Sequence, residues 1–132
     1  MTICDTNVLV RAIIEKTGNQ SKTAKTWLSG QPRIVIPILV FCEFVWVADR
    51  TYRTPTVAIA ASIRALTADP KVFYDKDAVR AGLSYMDVGG DFADGVIVHE
   101  GITLGGEKYA TFDRKAARIA KAAGFESILL KS

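Results

Sequence analysis

Thr2-Ile3-Cys4-Asp5-Thr6-Asn7-Val8-Leu9 is the stretch on which the fold turns. A short apolar run, residues 2–4, ends in an acid, and a helix-like pattern follows at once over about residues 6–15. In an open parallel sheet, ligands bind in the crevice beyond the carboxyl ends of the strands, so Asp5 stands where a site would form. The same position suits a helix N-cap, whose side-chain oxygen accepts from the first free backbone N–H groups. Taken alone, Asp5 does not choose between the two.

Four further short apolar runs lie at residues 33–36, 72–74, 107–111 and 127–130. Helix-like segments separate them, at about 21–29, 37–52, 55–68, 76–88, 92–103 and 113–123. Such alternation predicts an α/β fold with a central parallel sheet and helices on both faces. Local punctuation agrees. Pro37 and Pro55 each suit a helical first turn, where the missing N–H is no loss. Gly124 suits the position just past a helix end, and Gly89-Gly90 separates two helices, the second capped by Asp91. With 132 residues and no repeat, low-complexity stretch or linker, a single domain over residues 1–132 is expected.

Composition restricts the class. The chain is 49% hydrophobic and 23% charged, in the range of ordinary globular proteins. No uninterrupted apolar run is long enough to span a bilayer, and the N-terminus lacks the basic and apolar regions of a secretory signal, so a cytoplasmic protein is expected. Cys4 and Cys42 are too few for a disulfide framework and lack zinc-site spacing, which makes them reduced and structural. The net charge of +3 is weak evidence for a polyanionic partner, but acids gathered in one cleft would leave the remaining surface more basic than the sum.

Three more positions join Asp5. Glu43 is the only charged residue between Ile38 and Ala48, in a segment apolar on nearly every face, which predicts a largely buried helix. A lone buried carboxylate is costly unless neutralised, paired or bound to a metal, although a Glu at the helix edge would escape that cost. Asp91 and Asp94 are three apart at a helix start, where capping and the helix dipole also favour acids. Asp113 follows the fourth apolar run and has the same capping alternative as Asp5. Together these acids, without matching His or Cys ligands, point to hard cations such as Mg²⁺ or Mn²⁺ rather than zinc. His99 lies five residues past Asp94, off its helix face, and is read as structural or surface.

Asp5-Thr6-Asn7-Val8-Leu9, the Pro37 to Glu43 segment, Asp91-Phe92-Ala93-Asp94 and Thr111-Phe112-Asp113, in this order, resemble the PIN-domain family. Within it they resemble the VapC-type toxin nucleases of toxin–antitoxin operons. The resemblance covers essentially the whole chain. It implies a sheet of strand order 3-2-1-4-5, with Asp5 and Asp113 brought side by side. It further implies a metal-dependent endoribonuclease whose catalytic and metal-binding residues are Asp5, Glu43, Asp94 and Asp113, with Asp91 a possible ligand. Thr6, Asn7 and Thr111 match polar supporting positions. The implied chemistry is hydrolysis of an RNA phosphodiester by a water activated by one or two Mg²⁺ or Mn²⁺ ions, leaving a 5′-phosphate. The implied partners are RNA, a cognate antitoxin and a second copy of the chain.

Arg114, Lys115, Arg118 and Lys121 form a basic stripe opposite Ala117, Ala120 and Ala123. The stripe is either a track for a phosphate backbone or a solvated helix face. Trp27, Phe41, Phe44 and Trp46 read first as core, although a helix as apolar as 37–52 can keep one side for a partner. A phosphoacceptor receiver module is the main rival fold, but it needs adjacent acids after the first strand, and Asp5 has none. A haloacid-dehalogenase-type phosphatase needs a second Asp at the position of Asn7. A PIN domain that only binds RNA would not need all four acids.

Overall fold

A computed structural model describes residues 1–131. The chain divides into two compact units, the first Met1–Asp75 and the second beginning at Lys76.

In the first unit, β1 (Thr2–Ile3), β2 (Ile34–Val35) and β3 (Val72–Phe73) form a parallel sheet in the order 3-2-1. Thr2 pairs with Ile34 and Ile34 with Val72, which holds β2 in the centre. Four α-helices connect the strands: α1 (Thr6–Leu9), α2 (Asn19–Gly30), α3 (Ile38–Arg50) and α4 (Thr56–Ala68). The helix expected over 6–15 is not uniform, because after α1 the chain widens into a π-helical segment, Val10–Ile14. There the Glu15 N–H donates to the Val10 carbonyl, one residue further back than an α-helical bond. Glu15 ends the segment in a knot: its carboxylate pairs with Arg11 at 2.7 Å and accepts from the Tyr52 hydroxyl at 2.9 Å, while its carbonyl accepts from Ser21. Pro37 and Pro55 each lie one residue before the first helical residue, in extended backbone.

Apolar side chains from every layer of this unit fill its core, with Leu9, Ile34, Ile36, Phe41, Phe44, Ile59 and Ile63 fully buried. Phe41 meets Tyr74 edge to face at 6.1 Å. α3 corrects two expectations. Its inward side carries Val40, Phe41, Phe44, Val45 and Ala48, but Leu39, Glu43, Trp46 and Arg50 lie along an exposed side. Glu43 is therefore not a buried carboxylate, and Trp46, 59% exposed, is not core. The reason is that one core-facing stripe suffices to anchor a helix in a sheet-based layer, so apolar composition on the opposite side does not force burial. Trp27 is half-buried.

In the second unit, α5 (Lys76–Asp87) and α6 (Phe92–Thr103) pack closely, and β4 (Lys108–Thr111), α7 (Arg114–Ala122) and β5 (Glu126–Leu129) form a parallel β-α-β crossover. Close packing of α5 on α6 requires glycine. A Cβ on Gly95 would lie 2.5 Å from the Ala81 carbonyl oxygen, and one on Gly82 would lie 2.5 Å from the Phe92 ring. α7 buries Ala116, Ala117, Ile119 and Ala120 against the strand pair, and Gly124, at φ 88°, turns the chain into β5. Tyr85, Val98 and Ile119 form a core cluster onto which Tyr109 and Phe125 pack.

The architecture is thus α/β with parallel strands throughout, as the alternating pattern predicts. Among the described residues no helix is long and apolar enough to cross a membrane. Neither Cys4 nor Cys42 forms a disulfide. Burial, then the charge of Asp5, pushes the Cys4 thiol up to about 11, which suits an inert core residue.

Candidate functional site

The turn from β1 into α1 places Asp5 at the N-cap position, in extended backbone, yet its carboxylate makes no capping hydrogen bond. The side chain is exposed, so the capping alternative is not the one realised. Thr6 follows at the start of α1, 8% exposed, and its hydroxyl donates to Glu43 Oε1 at 2.7 Å. This bond ties α1 to α3 and holds one oxygen of an otherwise solvent-facing carboxylate. Asp5, Thr6, Asn7 and Glu43, with Trp46 and Val47, line one pocket of about 390 Å³. Trp46 could have been anticipated here from its spacing, because the residue three after Glu43 shares its helix face.

The second unit holds the other acids. Asp91 caps α6, accepting from the Ala93 N–H, as its position in the sequence suggests. Asp94, in the first turn of α6, is half-buried. Burial, then the charges of Asp91 and Asp113, holds its carboxyl above the usual range. Asp113 caps α7, but both capping bonds, from the Lys115 and Ala116 N–H groups, go to Oδ1 at 2.8 and 3.2 Å. Capping therefore occupies only one of its two oxygens. Thr111 Oγ1 accepts from the Asp113 N–H at 3.1 Å and fixes the backbone just before the cap. Burial, and after it the charge of Asp94, raises the Tyr109 hydroxyl as well.

Arg114, Lys115, Arg118 and Lys121 are all exposed along α7, opposite its buried alanines. His99 is half-buried on α6. Among the described residues no group of three or more His, Cys, Asp or Glu side chains is gathered to hold a metal ion. Within each unit, however, the donors are hard oxygens of the kind Mg²⁺ and Mn²⁺ take.

A family model of the PIN domain matches residues 2–122. The chain belongs to the PIN-domain family. Among solved structures, this PIN domain is similar to the crystal structure of Mycobacterium tuberculosis VapC20, a toxin that cleaves the sarcin–ricin loop. Identity is 19%, over 98% of this chain and 100% of that one, with a TM-score of 0.45. No curated protein matches the sequence significantly.

Proposed function

We propose that this PIN-domain protein is a metal-dependent endoribonuclease, the toxin of a toxin–antitoxin pair, with Asp5, Glu43, Asp94 and Asp113 as its catalytic carboxylates. The observation that carries the reading is Asp5. An acid at a helix N-cap that leaves the cap unbonded, and faces a pocket with Glu43, Thr6 and Asn7, is held for something other than the helix.

The single-domain reading completes the sheet. β1 and β4 each have one strand partner among the described residues, and Ile3 on β1 is 71% exposed. Parallel sheets are normally covered on both faces, and open edges are a liability. The proposed five-stranded order 3-2-1-4-5 would leave two open edges, at β3 and β5, where two separate sheets have four.

Asp5, Glu43, Asp94 and Asp113 would hold Mg²⁺ or Mn²⁺, with Asp91 mainly committed to its cap. When bound, the cation supplies a more acidic water and neutralises charge at the scissile phosphate. Thr6 steadies Glu43 through Oε1 and leaves Oε2 to act. Asp113 likewise keeps Oδ2 beyond its cap. The exposed amide of Asn7 is placed to donate to a phosphate oxygen, and the basic side of α7 offers contacts to the RNA backbone, which position without reading sequence. Leu39 and Trp46, 66% and 59% exposed on α3, offer an apolar surface to an antitoxin or a second copy.

The test is RNA cleavage by the purified chain, freed of any bound inhibitor, before and after EDTA and again with added Mn²⁺. Loss in EDTA with recovery in Mn²⁺ is expected. Undiminished cleavage in EDTA overturns the metal-dependent reading.

A further inference from the structure

Tyr85 is 7% exposed, and its hydroxyl is buried without a hydrogen-bond partner. Such an atom is unusual, because a buried hydroxyl left unpaired forfeits its water contacts for nothing. The ring cannot simply swing away. Its Cδ1 lies 3.0 Å from where a Cβ on Gly95 would stand, and its ring is packed with Val98, Ile119 and Tyr109. Gly95 directly follows Asp94, so the absence of a side chain there lets the Tyr85 ring approach the first turn of α6. Burial first, then the Tyr109 phenol and the Asp94 charge, raises the proton affinity of the Tyr85 hydroxyl.

We propose that Tyr85 is a positioning residue for Asp94: its hydroxyl donates to the Asp94 carboxylate when that carboxylate turns inward to bind a cation. The inference rests on the cation-binding role given to Asp94 above. A ligating carboxylate usually has one oxygen on the metal and the other steadied by a hydrogen-bond donor, and losing such a donor weakens metal affinity about 10- to 100-fold. Tyr85 is suited to the task because its donor is already desolvated and rigidly held, so little freedom is lost when the bond forms. Asp91 cannot take the role, being an acceptor committed to its cap.

The experiment compares the full chain with Tyr85→Phe, both stripped of metal by EDTA and dialysed, by thermal melts across a Mn²⁺ titration. The Phe variant is expected to melt at or above wild type without metal, because an unpaired hydroxyl has been removed. It should need at least about tenfold more Mn²⁺ for half of its thermal shift. An unchanged Mn²⁺ midpoint overturns the proposal while leaving the cation reading intact. A Phe variant that melts below wild type without metal also overturns it, since the hydroxyl would then have a structural partner. A wild-type protein with no Mn²⁺ response removes the cation reading itself, and this inference with it.

Discussion

Gly95→Ala tests whether α5 and α6 are in the backbone contact described. Replacing glycine by alanine in a helix normally gains about 1 kcal/mol, from lower chain entropy in the unfolded state and better helix propensity. At Gly95 the new Cβ would stand 2.5 Å from the Ala81 carbonyl oxygen and 3.0 Å from both the Ala81 carbonyl carbon and Tyr85 Cδ1. The first contact is about 1 Å short of ordinary van der Waals distance, and its partner is backbone, so the helices must separate. Overpacking of this kind costs about 1–3 kcal/mol, which equals or exceeds the propensity gain. Gly101→Ala, on the same helix with nothing within 4 Å of its new Cβ, is the control and should gain about 0.5–1 kcal/mol. The two alanine variants should therefore differ by roughly 1–3 kcal/mol, about 3–10 °C in melting temperature for a chain of this size. Urea unfolding monitored by circular dichroism gives the same difference independently. If Gly95→Ala were as stable as Gly101→Ala, the close approach of α5 and α6 would be refuted.

Asp94→Asn should melt higher than wild type in EDTA and gain little from Mn²⁺. The raised proton affinity of Asp94 in the fold means that its contribution to stability is full below the unfolded value of 3.8 and is lost as pH rises through the folded value. Metal-free melts between acidic and neutral pH should accordingly show a smaller decline for Asp94→Asn than for wild type, and equal declines would disprove the coupling. At Asp113, alanine should cost about 1 kcal/mol by unbonding the α7 cap, whereas asparagine keeps the cap and loses cleavage; chemical denaturation and RNA cleavage separate the two effects. Arg114→Ala with Arg118→Ala should weaken RNA binding and flatten its salt dependence by up to about two phosphate contacts, read from binding isotherms at several salt concentrations, while an unchanged slope returns these residues to a solvated face.

Most of the architecture was legible because the signals were local. Each apolar run became a strand and the helices fall within a few residues of their expected bounds, set by Pro37, Pro55, Asp91, Asp113 and Gly124. The exposure of Glu43 was not legible, since an apolar segment shows how many faces are oily and not how many faces have neighbours. Trp46 was misjudged for the same reason. Asp5 and Asp113 occupy the same position relative to a helix and carry the same capping expectation, yet only Asp113 forms the bonds, a difference of side-chain direction that no spacing encodes. The orphaned hydroxyl of Tyr85 depends on Gly95, ten residues later, having no side chain. The widened turn at Val10–Ile14 left no mark in the pattern.

That widened turn makes chain length itself adjustable at one point. A π-helical turn behaves as an α-helical turn holding one surplus residue. Each residue of an ordinary helix advances the chain by about 1.5 Å and rotates it by about 100°, so a deletion within α3 would turn every later side chain out of its place. A deletion within Val10–Ile14 instead has slack to draw on. The wide ring can close to the ordinary size, leaving Asp5, Thr6 and Asn7 on one side and the Glu15 knot on the other near their present places. Of all the helical stretches in the first unit, this is where the loss of one residue should be best absorbed, and it begins directly after α1, the short helix that opens beside the acid on which the proposed chemistry depends.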